Sequence, residues 1–575
     1  MKTLETDVLV VGAGPAGGAA GVFLSKHRVT TMVISKHPST AESPRAHITN
    51  QRTMECLRDA GLEQECMAYA SPPHKIEHSF WLRSMTGEEL ARTYSWGNDP
   101  RRKSDYESGS PCVMCDLPQT RLEPLLLAEA ARSGAHVRFS TELESFEQFE
   151  EGVTSTVKDR LTGERYKVKS RYLVGADGAR SRVVEQLGIP LIGQHGLGHA
   201  INVLCEIDLG DHVRHRPASL YATVQPGSSV WAPVGVVRMV RPWDQWLIAL
   251  MVPDSVGVAT PSAADIETRI HEVIGNSNIP IRILSQSSWS INDIVAERYS
   301  RGRVFCVGDA VHRHPPTNGL GSNTCIQDAF NLAWKLACVI QGKARHALLE
   351  TYHDERQPVG RQIVARANKS MGTNLRLWDL LGAGMRSASL EHVATFDTPE
   401  GRAALRETID LMKYEYHAHG VEMNACYRST AIVAEGDAGD RAFDRDPELY
   451  YQPSTLPGSF LPHAWLGHRR PSSRVSTLDV AGKRQFTLFT GHGGEAWREA
   501  AHATAKRFSV ALRVVSIGPY LDFEDLYDVW RPLSGVQEAG AVLVRPDLHV
   551  AWRAAELPSD PGKSLAAVMA QILAL

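Results

Sequence analysis

The chain has 575 residues, 43% of them hydrophobic and 22% charged, and 62 basic against 65 acidic side chains leave a net charge of -3. That length predicts two to four domains of an ordinary soluble protein, and the balanced charge leaves no footprint for nucleic acid or a membrane surface. The nine cysteines are scattered; the CxxC pair Cys112 and Cys115 has no second pair or nearby histidine, so thiols in a reducing cytoplasm are expected and a metal site is not.

In chain order, the first element is the apolar run Val8–Val11, which reads as a buried parallel strand. The start MKTLETD has no signal-peptide character. Val8–Leu24 is broken by glycine and proline, so it reads as a core unit and not a membrane span. Gly12, Gly14 and Gly17 follow at GxGxxG spacing, with Pro15 and Ala16 between them. A helix is predicted from Pro15 to His27, then a strand from Val29 to Ile34. This is the context of a dinucleotide fingerprint: Gly12 for a tight turn, Gly14 for backbone approach to a pyrophosphate, Gly17 for close helix–strand packing. The helix N-terminus offers free N–H groups to phosphate. The second strand ends in Ser35 and Lys36, not in the carboxylate that would hold an NAD ribose; a serine can still bond a hydroxyl, and FAD has other anchors.

Thr49 reads as the N-cap of a helix ending at Gly61. Within 72–115, WGNDPRRKSDYESGSP predicts an exposed loop. A helix over 116–134 and strands at 137–140, 153–158 and 166–174 lead into YLVGADGARSRV, a strand running into a turn. The stretch 198–252 alternates as an antiparallel sheet. A second strand–turn–helix spans 303–342; residues 351–445 read as mainly helical and 446–460 as a linker. A last unit holds strands 485–490 and 512–517, a helix 495–508, the hairpin AVLVRPDLHVAW and a final helix 564–573.

Three motifs therefore stand in order: GAGPAG (12–17), GADGARS (175–181) and GDAVHRHPPTNGLGSN (308–323). Asp309 ends a buried strand, where a carboxylate can accept bonds from ribityl hydroxyls. Pro315, Pro316, Gly319 and Gly321 build a rigid loop that lets backbone approach a flat ring. It is expected to open a helix at Asn323, whose positive end stabilises negative charge. Together with PRAHITNQRTMECLRD, these motifs resemble the single-component FAD-dependent aromatic hydroxylases over the whole chain. The similarity is greatest to the phenol hydroxylase branch with its 2,4-dichlorophenol 6-monooxygenase-like members.

The resemblance implies an α/β plus α+β fold of the p-hydroxybenzoate hydroxylase type. A Rossmann-like FAD-binding domain (1–185 and 290–365, with part of the substrate region at 72–115) is interleaved with a substrate-binding sheet domain (186–289). A helical segment (366–445) and a thioredoxin-like C-terminal domain (446–575), here lacking CxxC, complete it. It also implies that Arg45 and Gln119 contact FAD, that Asp309 holds its ribityl chain, and that Pro316, Gly321, Ser322 and Asn323 lie against the isoalloxazine. Asp177 and Arg180 belong to a motif tied to both FAD and NADPH. The expected cycle uses NADPH (or NADH) and O2 through a C4a-hydroperoxyflavin that attacks a phenolate ring. The implied enzyme is cytoplasmic, a homodimer or homotetramer, and uses a small phenol.

In phenol hydroxylases an aspartate stands two residues after the position of Arg45; here His47 does, and an imidazole can take a phenol proton near neutral pH. Tyr221 and Arg241, with Trp231 and Trp289, are candidates from the sheet region for contacting the ring. Two other readings compete. One is a tailoring monooxygenase on a larger polyphenol or polyketide ring, of decarboxylating or Baeyer–Villiger type. The other is a non-catalytic FAD-binding protein.

Overall fold

A computed structural model describes residues 2–225, 227–228, 230–252, 261–380, 398–434, 441–468 and 473–575. The first strand, Thr3–Val11, lies between Thr31–Ile34 and Arg165–Gly175, parallel to both, with Val8 opposite Thr31 and Tyr172. Val304–Cys306 and His136–Arg138 extend this parallel sheet on either side. All four residues of Val8–Val11 are buried, as a strand covered on both faces requires. The helix Pro15–Lys26 packs on one face, and a twenty-residue helix, Gly321–Ile340, packs beside it.

A second, eight-stranded sheet is antiparallel but for one parallel pair. Its strands are, in spatial order, His312–Arg313, Arg282–Ala296, Leu191–Glu206, Gln245–Val252, Val234–Arg241, Ala218–Val224, His78–Leu82 and Glu89–Tyr94. Two strands thus come from 72–115, just ahead of the stretch 96–111 that reads as an exposed loop. The stretch itself is only partly solvated: Arg101, Lys103, Ser104, Glu107 and Ser108 are exposed, but Trp96, Asp99, Arg102 and Ser110 are buried. Each finds a partner, as when Arg102 Nη2 donates to the Leu449 carbonyl at 2.7 Å and Ser110 Oγ to Glu55 Oε1 at 2.6 Å. Polarity in a sequence window does not distinguish a wet loop from a satisfied buried one.

Smaller corrections have equally local causes. Asn50, not Thr49, caps the helix Gln51–Asp59: its side chain accepts from Thr53 N–H at 3.0 Å, while Thr49 lies in a short strand opposite Cys115. The helix expected to open at Asn323 begins at Gly321. The strand Thr141–Gln148 had no clear signal. The divisions at 289/290 and 365/366 fall inside the strand Arg282–Ala296 and the helix Thr351–Leu380, which cross from one layer to the next unbroken. The parts of the expected helical stretch at 381–397 and 435–440 lie outside the described residues.

The C-terminal unit is thioredoxin-like. Strands Leu512–Ser516, Phe486–Thr490, Ala541–Val544 and Val550–Ala554 lie in that order, the first pair parallel and the others antiparallel, with helices Ala496–Phe508 and Pro561–Ile572 packed on them. It is joined to the rest by buried charge. Arg545, on the turn between the last two strands, meets Glu355 through Nη1 and Nη2 (2.6 and 2.9 Å) and Asp547 through Nε (2.9 Å). Lys335 Nζ reaches the same Glu355 at 2.7 Å, and Asn331 bridges Glu355 and Asp547. All these groups are buried. Nearby, the Arg52 guanidinium lies 3.4 Å over the Phe460 ring.

Candidate functional site: a nucleotide cradle and a half-buried histidine

The first motif forms a cradle that fits a pyrophosphate. Gly12 has φ +111°, and a Cβ there would fall 2.1 Å from the Ala176 carbonyl oxygen; one on Gly17 would fall 1.9 Å from that of Gly12. Gly14, the N-cap, faces open space apart from Glu123, and no side chain caps the helix that starts at Pro15. With Ala16 and Gly17 buried in the first turn and no side chain capping them, its N–H groups are left for an anion such as a pyrophosphate. Glu123 secures the rim, accepting from Ala41 N–H (2.7 Å) and Gln119 Nε2 (2.6 Å).

Other predicted contacts are placed as follows. Ser35 is buried at the end of its strand, its Oγ accepting from His37 N–H. Arg45 is exposed on the loop leading to His47, and Gln119 ties that loop down by accepting from Ala46 N–H and donating its own N–H to the Ala46 carbonyl. Asp177 is turned inward, accepting from Ser181 Oγ (2.5 Å) and Val183 N–H (3.2 Å), so it closes its own turn; Arg180 is exposed beside it. Asp309 is exposed at the end of the parallel sheet, beside Cys325 Sγ (3.8 Å). Pro316 is exposed, and Gly321, Ser322 and Asn323 occupy the first turn of an uncapped helix, with N–H groups left over by helix geometry. The Asn323 side chain is fully engaged elsewhere: Oδ1 accepts from Asn50 N–H (3.0 Å) and Nδ2 donates to the Ile48 (2.8 Å) and Gly319 (2.5 Å) carbonyls. Only its backbone is offered to a ligand.

That clamp brings His47, one residue before Ile48, beside the helix. His47 Nδ1 lies 2.8 Å from Asp116 Oδ2. The carboxylate accepts, so the proton sits on Nδ1 and Nε2 carries the lone pair. Asp116 is itself met by Arg238 Nη2 at 3.4 Å, and Arg238 Nη1 donates to the Pro44 carbonyl. Burial pushes the Arg238 guanidinium down to about 10, which still leaves it a cation at neutral pH. Burial alone would raise the Asp116 carboxyl, but His47 and Arg238 hold it below its ordinary value. Burial, then Arg238, lowers the His47 imidazole, against an opposing pull from Asp116. Its neutral, proton-accepting form is therefore the one present at pH 7. Trp96 packs edge-on against His47, with ring centroids 6.4 Å apart, and Tyr416 edge-on against Trp96 at 5.2 Å. Trp81, Met114, Val224, Leu377 and Trp378 complete this apolar cluster.

The ring contacts expected from the sheet are not there. Tyr221 is in the outer core, stacked on Phe80, its hydroxyl donating to the Arg216 carbonyl and accepting from Ala218 N–H. Its neighbours Leu220 and Ala222 take the inner face, because side chains alternate along a strand. Arg241 is an exposed strand end bonded to Asp244 at 2.7 Å; the inward arginine of that strand is Arg238. Trp231 is in the outer core, and Trp289 is half-buried, donating to Asn202. Asp116, Arg238, Trp96 and Tyr416 were missed. The only signal for Arg238 was a cation inside the apolar strand Val234–Arg241, which demands a buried partner.

The model of a FAD binding domain matches residues 5–367, and that of the aromatic-ring hydroxylase C-terminal region matches 454–574. This chain belongs to the FAD-dependent aromatic-ring hydroxylases. It is 48% identical to a 2,4-dichlorophenol 6-monooxygenase of Delftia acidovorans over 100% of this chain and 99% of that one. It is 41% identical to a phenol 2-monooxygenase of a Pseudomonas species, over 98% of this chain and 92% of the other. Among solved structures, the flavin-dependent monooxygenase PieE, in complex with FAD and substrate, superposes with a TM-score of 0.94 at 44% identity, each chain covered completely. Among the described residues of this hydroxylase no helix is long and apolar enough to cross a membrane, and no group of three or more His, Cys, Asp or Glu could hold a metal ion.

For this FAD-dependent hydroxylase, Asp309→Ala is expected to release the cofactor. It removes the exposed carboxylate at the end of the parallel sheet, placed for hydroxyl donors. Absorbance of bound flavin after gel filtration measures it; full retention by the variant removes Asp309 from the cradle.

Proposed function

We propose that this hydroxylase inserts one oxygen atom of O2 into a phenolic ring at the expense of NAD(P)H, with His47 removing the phenol proton. The carrying observation is the His47–Asp116–Arg238 chain, clamped through Ile48 and Asn323 to the glycine- and proline-rich loop and the open helix end. FAD, when bound, supplies the redox chemistry and the activated oxygen. The chain's own part is to hold the ring, exclude water and take one proton onto His47 Nε2, while Asp116 stabilises the resulting imidazolium. The relatives that act on phenol and 2,4-dichlorophenol, matched over nearly their whole length, support a single-ring phenol as the substrate. Arg45, Gln119, Asp309 and the backbone of Gly321–Asn323 are taken as the cofactor contacts. The nine free thiols suit a reducing cytoplasm. Exposed Tyr520, Leu526, Tyr527 and Val529 on the C-terminal unit suit self-association into a homodimer or homotetramer.

Stopped-flow reduction by NADPH with and without phenols, followed by product analysis, tests this reading. Reduction is expected to accelerate when a phenol is bound, since no second dinucleotide fingerprint is present to hold the nucleotide firmly, and a catechol or hydroquinone is the expected product. Equal rates with every phenol, and no hydroxylated product, would overturn it; turnover confined to polycyclic rings would favour the tailoring reading instead.

A further inference from the structure

We infer that Trp96 positions the His47 imidazole and restricts the ring substrate to a single aromatic ring; this rests on the proposed phenol chemistry. The backbone of Trp96 has φ +53°, in the left-handed region. A bulky side chain there is a strained exception, kept only where its surroundings over-determine it, and such exceptions gather at functional sites. The surroundings here are specific. Ser95, just before it, donates Oγ to the Ile76 carbonyl at 3.0 Å and N–H to that of Glu77 at 2.8 Å. Gly97, just after it, has φ +78° and lies against the Tyr106 ring. The indole Nε1 donates to Ser219 Oγ at 2.9 Å, which fixes the ring to the eight-stranded sheet.

Three parts of the site meet on that indole. His47 and Tyr416 each pack edge-on to it, at interplanar angles of 79° and 86°. Tyr416 follows Tyr414 and Glu415, whose carbonyls accept from Asn318 Nδ2 at 2.6 and 3.0 Å, so its segment is tied to the loop that precedes the helix Gly321–Ile340. Trp96 thus connects the sheet, the base and that loop. It is buried, and it keeps water from one side of an imidazole whose charged neighbours are Asp116 and Arg238. Removing it has two consequences. The imidazole gains rotational freedom and water, and the wall between base and sheet recedes by the volume of an indole, roughly that of a second fused ring.

The test compares Trp96→Ala, Trp96→Phe and Ser219→Ala, each purified with FAD, using phenol and 1-naphthol. For Trp96→Ala we expect FAD retention, NADPH reduction and a KM for phenol raised on the order of tenfold. We also expect a preference shifted toward naphthol by a similar factor. The pH midpoint of coupled hydroxylation should rise toward that of an ordinary imidazole, because burial no longer depresses it. Trp96→Phe should restore most of the phenol KM. Merely structural packing would move neither the pH midpoint nor the ring preference. A folded, flavin-loaded Trp96→Ala with wild-type pH midpoint and phenol-to-naphthol ratio overturns the inference. If that variant does not fold, Ser219→Ala, which removes only the anchor, must shift both readouts the same way by a smaller amount; no shift is equally decisive against it. Failure of the phenol reading itself is distinguishable, because the unaltered enzyme would then hydroxylate no phenol.

Discussion

Replacing His47 by alanine is expected to leave FAD bound and to cut hydroxylation of a weakly acidic phenol at pH 7 by about a hundredfold or more. An unsubstituted phenol has a pKa of about 10, by analogy with tyrosine, so only about one molecule in a thousand is ionised at that pH. The ring is a good nucleophile only as the phenolate, and the variant must wait for that fraction. NADPH should still be consumed, with oxygen leaving as hydrogen peroxide. The pH dependence has a definite sign. The His47 imidazole is lowered by burial and Arg238, so the native base is competent at neutrality and fails only as pH falls below the ordinary histidine range. The variant should instead recover about tenfold per pH unit as the phenolate fraction grows. A phenol already ionised near neutrality should barely notice the substitution. Product per NADPH against pH, for one weakly acidic and one acidic phenol, is the measurement. Full coupling of the variant with the weak acid at pH 7 would falsify the assignment of His47 as the base. Asp116→Asn should fall between the two, since the imidazole keeps its place but loses the charge that stabilises its protonated form.

The second large effect is on stability. Arg545→Ala is expected to cost about 3–5 kcal/mol, because it leaves Glu355 and Asp547 buried with their principal cation gone. Lys335 remains beside Glu355, but burial has already pushed its ammonium down to about 8, so it is a poor substitute. In the native protein Arg545 helps hold both carboxyls below their ordinary values. Groups with depressed pKa stabilise the fold above their unfolded values, and that stability is lost as pH falls through the folded values. In the variant the two carboxyls lose this hold and can take up a proton in place. The deficit relative to wild type should therefore shrink as pH is lowered from 7 toward 5. Thermal unfolding at both pH values reads this out. Adding Glu355→Gln, Asp547→Asn and Lys335→Met to Arg545→Met should recover much of the loss, since no member of the network is then left as a buried unpaired charge. An unchanged melting temperature for Arg545→Ala would show that the network contributes nothing to holding the C-terminal unit.

What could be read from the chain alone follows a physical line. Gly12 and Gly17 were legible because backbone geometry there is dictated by residue type, since a Cβ at either would collide with backbone carbonyl oxygen. His47 was legible only through a family pattern, since nothing local distinguishes it from a loop histidine. Its partners were not legible, because Asp116 and Arg238 lie 69 and 191 positions away in sequence and meet it only in the folded chain. Tyr221 and Arg241 failed for a related reason. Alternation tells which residues share a face but not which face looks inward, and composition favoured the wrong one. The motif around Asp177 was legible as a turn, and Asp177 closes that turn by accepting from Ser181 and Val183.

The clamp made by Asn323 has a consequence for how the enzyme tolerates motion. One amide bonds the loop that carries His47 and the uncapped end of the helix Gly321–Ile340, through Asn50, Ile48 and Gly319. The His47 imidazole and the open helix end are thus referenced to a single fixture, and displacements of that fixture move both together. The sheet opposite joins the same fixture, because Arg238 on the strand Val234–Arg241 bonds both Asp116 and the Pro44 carbonyl, and Trp96 beside His47 is anchored to Ser219. A change in the walls of the sheet at Ser219 or Arg238 is therefore expected to reach the imidazole as well.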